Sequence, residues 1–248
     1  MDRPKVLVIA GYDQSGGAGV LSDIKTLEAH GVYGYAVVTG MTFQNERIVR
    51  RVEWLAVEDV DEQIELCFES AVFSWVKMGI TESMQSAVAI IDHLHKRNPE
   101  ARVVLDPVIK ASSGADFWKG LDREVWEALA ARCYLVTPNW EEMEWLYPGE
   151  DVEVRCADVS SRLGCHIYLK GGHNPVNPGQ DQLWMDGEME VLEAVDGGYW
   201  PKHGSGCVLS SALTANLALG YPLPIAAERA KRYIELFLGS NSTLLGWH

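Results

Sequence analysis

Five short segments of this chain hold residue types that can grip an anion or move a proton. The first is Gly11-Tyr12-Asp13-Gln14-Ser15-Gly16-Gly17-Ala18-Gly19. Its glycines let backbone N–H groups approach a ligand before a helix begins, although they suit a plain strand-to-helix turn equally well. Gly11 and Gly16 have the spacing of a Walker A loop, but Gly17-Ala18 stands where that loop needs Lys and a hydroxyl. The dinucleotide fingerprint G-x-G-x-x-G is also unmet, because the second residue after Gly11 is Asp13.

The second segment, His203-Gly204-Ser205-Gly206-Cys207, precedes the apolar-periodic stretch Val208–Leu219. Unobstructed N–H groups at Gly204, Ser205 and Gly206 would meet the positive end of a helix dipole, which makes an anion hole. Cys207 falls in the first turn, where the dipole is expected to lower its thiol pKa and let it take a proton from a substrate hydroxyl. A small buried residue on a capped helix is the alternative.

In Leu105-Asp106-Pro107-Val108 and Thr137-Pro138-Asn139-Trp140-Glu141-Glu142, acids follow buried strands. Asp106 and Glu142 at neighbouring strand ends could hold Mg²⁺ through its waters, while either alone also reads as a helix cap or a solvated acid. Lys170-Gly171-Gly172-His173 offers one cation and bare backbone to phosphate oxygens. His93 and His95, two apart on a helix, cannot form an i, i+4 metal pair and read as surface residues. Trp118, Trp140 and Trp200 lie beside these loops, most of the nine Trp being expected to pack the core or an interface.

The elements that must position these residues alternate along the chain. Val6–Ala10, Tyr35–Val38, Val76–Met78, Val103–Leu105, Tyr134–Val136 and Ile167–Leu169 are apolar runs of the length of buried parallel strands. Amphipathic stretches separate them: Gly19–His30, Asp59–Phe73, Ser83–Lys96, Arg123–Arg132 and Asp151–Leu163. The alternation predicts an α/β fold, a doubly wound and mostly parallel central sheet flanked by helices, with ligands beyond the carboxyl ends of the strands. After Lys170, Gln182–Met185 and Met189–Glu193 flank Asp186-Gly187, so a hairpin adds antiparallel edge strands. Two helices follow, roughly Cys207–Leu219 and Pro224–Leu238. No repeat, low-complexity tract or linker divides the chain, which reads as one domain over residues 1–248.

With 47% hydrophobic and 23% charged residues the chain can bury a sizeable core. The formal charge of −14, from 35 acidic and 21 basic side chains, repels nucleic acid and anionic membranes at long range. A few local cations, N–H groups and Mg²⁺ can still hold one nucleotide. The five cysteines, widely spaced and without a C-x-x-C pair, fit neither a disulfide framework nor a zinc site and point to a reducing cytosol. No export signal or membrane span is legible, so a cytoplasmic protein is expected.

Taken in order, AGYDQSGGAGVLSDIKTLEAHGVYGYAVVTGMTFQN, LDPVIKASSG, VTPNWEEMEWL, LKGGH and HGSGCVLSSALTANLALG resemble the ribokinase-like superfamily. Within it they are most similar to the hydroxymethylpyrimidine/phosphomethylpyrimidine kinases of thiamine biosynthesis, over nearly the whole length. The resemblance implies a ribokinase-like fold, ATP and Mg²⁺ as cofactors, a small pyrimidine as substrate and a homodimer. It implies that Gly11, Asp23, Gln44 and Val108 surround the pyrimidine, with Gln44 reading its ring nitrogen and amino edge. Asp106, Asn139 and Glu142 match positions near Mg²⁺ and the phosphates. Lys170 and Gly172 match the nucleotide side, Gly204, Ser205 and Gly206 the anion hole, and Cys207 the base. Pyridoxal kinases share the fold and phosphorylate a similar hydroxymethyl group, so they are the alternative, followed by a pyrimidine-binding relative without catalysis. Tyr12, Phe43, Ile80 and Ser205 depart from the family pattern. The first three are expected to reshape the pocket, and the end at Leu245-Gly246-Trp247-His248 to alter the adenine side.

Overall fold

The structure is a computed structural model that describes residues 3–111, 114, 116–195 and 197–248. Ser112 and Ser113 of the LDPVIKASSG segment lie outside the described residues. The strands are β1 (Lys5–Tyr12), β2 (Tyr33–Gln44), β3 (Val49–Trp54), β4 (Trp75–Met78), β5 (Arg102–Leu105), β6 (Leu135–Val136), β7 (His166–Leu169), β8 (Asp181–Met185) and β9 (Glu188–Leu192). The helices are α1 (Gly19–Ala29), α2 (Val57–Ser70), α3 (Met84–Arg97), α4 (Arg123–Ala130), α5 (Trp140–Leu146), α6 (Val152–Leu163), α7 (Ser205–Ala218) and α8 (Leu223–Gly239).

All nine strands form one sheet in the order β3-β2-β1-β4-β5-β6-β7-β8-β9. The six strands β2, β1, β4, β5, β6 and β7 are mutually parallel, while β3 pairs antiparallel with β2, β8 with β7, and β9 with β8. Side chains alternate across the sheet, as the two-residue period requires. Leu7 and Ile9 join the core under α2 to α6, while Val6, Val8 and Ala10 face α1 and α7. The turn of the β8–β9 hairpin has Asp186 and Gly187 both at positive φ, 53° and 86°. That is the backbone a two-residue hairpin favours and that Asp-Gly tolerates best.

Two elements exceed the sequence reading. Strand β2 runs to Gln44 rather than ending at Val38, because beyond its parallel partner β1 it pairs with β3 from Gly40 onward. Strand β3 is missed in the sequence because Val49-Arg50-Arg51-Val52-Glu53-Trp54 is an edge strand without a fully buried residue, so its composition mimics a loop. Helix α7 is buried from Val208 through Leu217, which places it between the sheet, α1 and α8. Its surroundings, more than its own pattern, orient its first turn. Among the described residues no helix is long and apolar enough to cross a membrane.

Candidate active site

At the carboxyl ends of the central strands lies a cavity of about 250 Å³. Of the thirteen residues singled out as site candidates, all but Asp23 line it.

The glycine loop after β1 is folded by Asp13, whose side chain is buried. Its Oδ1 accepts the Ser15 N–H at 2.9 Å, and Oδ2 accepts the Ser15 hydroxyl at 2.8 Å and the Ala18 N–H at 3.0 Å. His203 Nε2 sits 2.8 Å from the same Oδ2, so the loop is clamped to the segment that leads into α7. Burial alone would raise the carboxyl pKa; His203 and Ser15 outweigh it and hold Asp13 below the ordinary value. The two loops then touch backbone to backbone. Gly204 has φ 75°, and a Cβ there would lie 2.0 Å from the Gly17 carbonyl oxygen. Gly19, at φ 58°, would bring one 2.2 Å from the Gly11 oxygen. Only glycine satisfies both the torsion and the space.

Gly204 caps α7 without a side-chain hydrogen bond, which leaves the first-turn N–H groups open to the cavity. A Cβ at Gly206 would stand 3.3 Å from Lys170 Nζ and 3.4 Å from Asp106 Oδ2, so a charged group faces the helix end directly. Lys170 bridges two acids there, 2.8 Å from Asp106 Oδ1 and 3.4 Å from Glu142 Oε2. Burial works against its charge, but Asp106 and Glu142 prevail and hold its pKa above the ordinary value. Burial pushes Glu142 up to about 7, with Asp106 adding to the rise and Lys170 opposing it. Thr137 donates to Asp106 Oδ1 at 3.2 Å, whereas Asp106 Oδ2 is buried without a hydrogen-bond partner among the described residues.

Asn139 lines the cavity, but its side-chain oxygen is already engaged. It accepts the Glu142 N–H at 2.8 Å while Glu142 Oε2 accepts the Asn139 N–H at 2.7 Å, a reciprocal capping box that starts α5. The same box aims Glu142 at Lys170. Gly172, in the loop after β7, also lines the cavity.

Below the start of α7 the structure departs from expectation twice. Asp23, expected at the pyrimidine, is fully buried behind the cavity wall, 2.8 Å from Lys77 Nζ and accepting the Ser211 hydroxyl at 2.8 Å. It orients Lys77, which does reach the cavity. The Cys207 thiol is raised to about 11, the reverse of the lowering expected from the helix dipole. Burial is the cause, and Lys77 only partly offsets it. A dipole contributes about 0.3–1 kcal/mol at an exposed terminus, less than the desolvation of a thiolate. Lys77 itself is missed in the sequence. A lysine inside the four-residue run Trp75-Val76-Lys77-Met78 was the available signal, since a fully buried lysine requires a partner.

At the opposite end of the cavity Gln44 closes β2, and Gly11, Val108 and Ile80 complete the walls. Thr42 donates to the Tyr12 carbonyl at 2.8 Å and Thr39 to the Ile80 carbonyl at 2.7 Å, joining β2 to the neighbouring strand ends. Of the three departures expected to reshape the pocket, Ile80 alone lines it. Phe43 points to the other face of β2 beneath the Arg51 guanidinium, 3.4 Å from its ring centroid, and Tyr12 joins the cluster under α1.

A larger cavity of about 1030 Å³ adjoins the first and shares Lys110, Asn139, Glu142, Gly172 and Ser205 with it. Trp145 and Trp200 line its walls. Trp118 is buried and donates to Thr81, and Trp140 lines neither cavity. His93 and His95 are half-buried rather than free on the surface, near Asp61 and the Ala101 carbonyl. No cluster of three or more His, Cys, Asp or Glu suited to a metal occurs among the described residues. Asp106 and Glu142, joined through Lys170, offer oxygen donors for a hydrated cation.

A family model described as phosphomethylpyrimidine kinase matches residues 13–246. The hydroxymethylpyrimidine/phosphomethylpyrimidine kinase of Rhizobium meliloti is 36% identical over 246 residues, covering 96% of this chain and 91% of that protein. The crystal structure of phosphomethylpyrimidine kinase from Clostridium difficile superposes with a TM-score of 0.77 at 34% identity, over 94% of this chain and 98% of that one. Bacillus subtilis pyridoxal kinase, solved as an ADP complex, gives a TM-score of 0.82 at 26% identity, over 98% and 94%.

Proposed function

The chain belongs to the phosphomethylpyrimidine kinase family, and on that premise we propose that it carries the γ-phosphoryl group of ATP to 4-amino-5-hydroxymethyl-2-methylpyrimidine and then to the resulting monophosphate, in thiamine biosynthesis. Its class, a small-molecule kinase, follows from the family. The observation that carries the finer reading is convergence: Gln44, Cys207, the Gly204–Gly206 amides and the Asp106–Lys170–Glu142 cluster all line one cavity.

In this reading Gln44 and the Gly11 backbone hold the ring, and the hydroxymethyl oxygen points towards Cys207. That oxygen attacks the γ-phosphorus, its proton passes to the Cys207 thiolate, and the bond to the β-bridging oxygen breaks with its electron pair leaving on ADP. The Gly204–Gly206 amides stabilise the phosphoryl oxygens as charge develops. Lys170, paired with Asp106 and Glu142, fixes the geometry of the other side, and the larger cavity takes the rest of the nucleotide. Mg²⁺ fits the donor set, because the Asp106 oxygen without a hydrogen-bond partner and Glu142 are hard ligands that would hold its waters. When bound, the ion neutralises phosphate charge. The family resemblance also supports a cytosolic homodimer formed from one kinase domain per chain, which sedimentation at micromolar concentration checks.

Coupled ADP release with ATP, Mg²⁺ and each acceptor tests the assignment. Pyrimidine turnover above that of pyridoxal is expected. The closeness of the fold to Bacillus subtilis pyridoxal kinase keeps that acceptor as the second reading, and faster turnover of pyridoxal would make it the first. Calorimetric pyrimidine binding with no phosphorylated product would identify a non-catalytic relative.

A further inference from the structure

Three lysines line the smaller cavity, and two are already neutralised: Lys77 by Asp23, Lys170 by Asp106 and Glu142. The third, Lys110, differs in every respect. It is exposed, it belongs to the lining of both cavities, and it forms no ion pair with any carboxylate among the described residues. Its backbone is anchored. Lys110 bridges Asp116, and on either side of that bridge the Phe117 N–H donates to the Ile109 carbonyl at 2.9 Å, with Ile109, Phe117 and Trp118 all buried. The loop base therefore holds an unneutralised cation where the acceptor and nucleotide spaces meet. Asp116, Glu141 and Glu142 are the acids among the lining residues of the larger cavity; Glu142 is committed to Lys170, and Glu141 is exposed beside His173.

We infer that Lys110 sets the acceptor specificity of this site, by compensating the phosphate of a monophosphorylated acceptor during a second transfer. The inference rests on the kinase reading above. When the acceptor is an alcohol, the junction carries only the charge of the triphosphate. When it is a monophosphate, an acceptor phosphate oxygen attacks the γ-phosphorus, a new P–O–P bond forms, and the bond to the β-bridging oxygen breaks with its electron pair on ADP. A phosphate monoester has a second pKa of about 6, so its attacking oxygen has no proton to lose at neutral pH. The difficulty of this step is two anions brought together in a strongly acidic protein. The neutralised lysines have no net charge to offer against that repulsion, and Lys110 has.

The test is the ratio of kcat/KM on the monophosphate to kcat/KM on the alcohol, measured for the intact protein. Lys110→Ala is expected to lower that ratio roughly 10- to 100-fold, the worth of one charge-assisted contact, mainly through KM for the monophosphate. Lys110→Arg is expected to restore most of it, and raised salt to shrink the gap between wild type and Lys110→Ala. A structural role would instead lower both substrates together, so equal losses, or no loss, overturn the inference. If the wild-type protein phosphorylates the alcohol and never the monophosphate, the inference fails and only the first transfer of the kinase reading stands; if it phosphorylates neither, both fail.

Discussion

The floor and the mouth of the candidate site follow opposite electrostatic plans. On the floor, each lysine is matched by the fold, Lys77 with Asp23 and Lys170 with Asp106 and Glu142, and Asp13 faces His203. At the mouth, Lys110 is exposed and a space of about 1030 Å³ opens between Trp145 and Trp200. Matched buried charges give little net attraction to a ligand, but breaking one pair is costly because the remaining charge is stranded. They serve geometry. Net attraction for an anion has to come from groups the fold leaves without a counter-charge, among them the open amides of α7 and the lysine at the junction.

The contrast can be broken most sharply at Cys207. Cys207→Ala is expected to lower kcat on the alcohol by ~10²–10⁴, the range of general acid–base help, and to cost far less on the monophosphate, which has no proton to lose. Rate against pH carries the same signature. A thiol raised to about 11 is a base only as thiolate, so its active fraction grows tenfold per unit below that value. Glu142, raised to about 7, must be ionised as well. kcat/KM on the alcohol should therefore keep rising above neutrality, while on the monophosphate it should level off once Glu142 has lost its proton. A plateau for the alcohol just above neutral pH would remove Cys207 as the titrating base.

The floor alone is probed by Asp23→Asn. It leaves the Lys77 charge buried without its counter-ion and should lower unfolding stability by about 3–5 kcal/mol in denaturant melts. Replacing both partners with apolar residues of similar volume should recover much of that loss while activity stays low, since Lys77 reaches the cavity. Recovery of activity as well would show that the pair serves stability alone. The smallest effect is expected at Phe43. Its ring lies under Arg51 on the far face of β2, so Phe43→Ala should leave KM for the pyrimidine within about twofold and cost at most ~1 kcal/mol of stability. A larger change in KM would mean that β2 transmits strain to Gln44.

Much of this architecture is legible in the order of residues, because each strand and helix declares itself through a local period and each candidate loop follows a strand's carboxyl end. The reading fails where locality fails. Strand β3 exists as a strand only because β2 extends to meet it, and its charged sequence carries no period of its own.

What sequence by itself determined here is the set of elements, the parallel sheet and the loops that crowd its carboxyl edge. What tertiary structure alone decided is the chemistry of the partners: Lys77 and Asp23 are 54 positions apart, Ser211 and Asp23 188, His203 and Asp13 190. The physical reason is that a pKa depends on burial and on charges nearby in space. The same thiol at the start of α7 is an activated nucleophile in the open and a reluctant acid under the neighbouring loops.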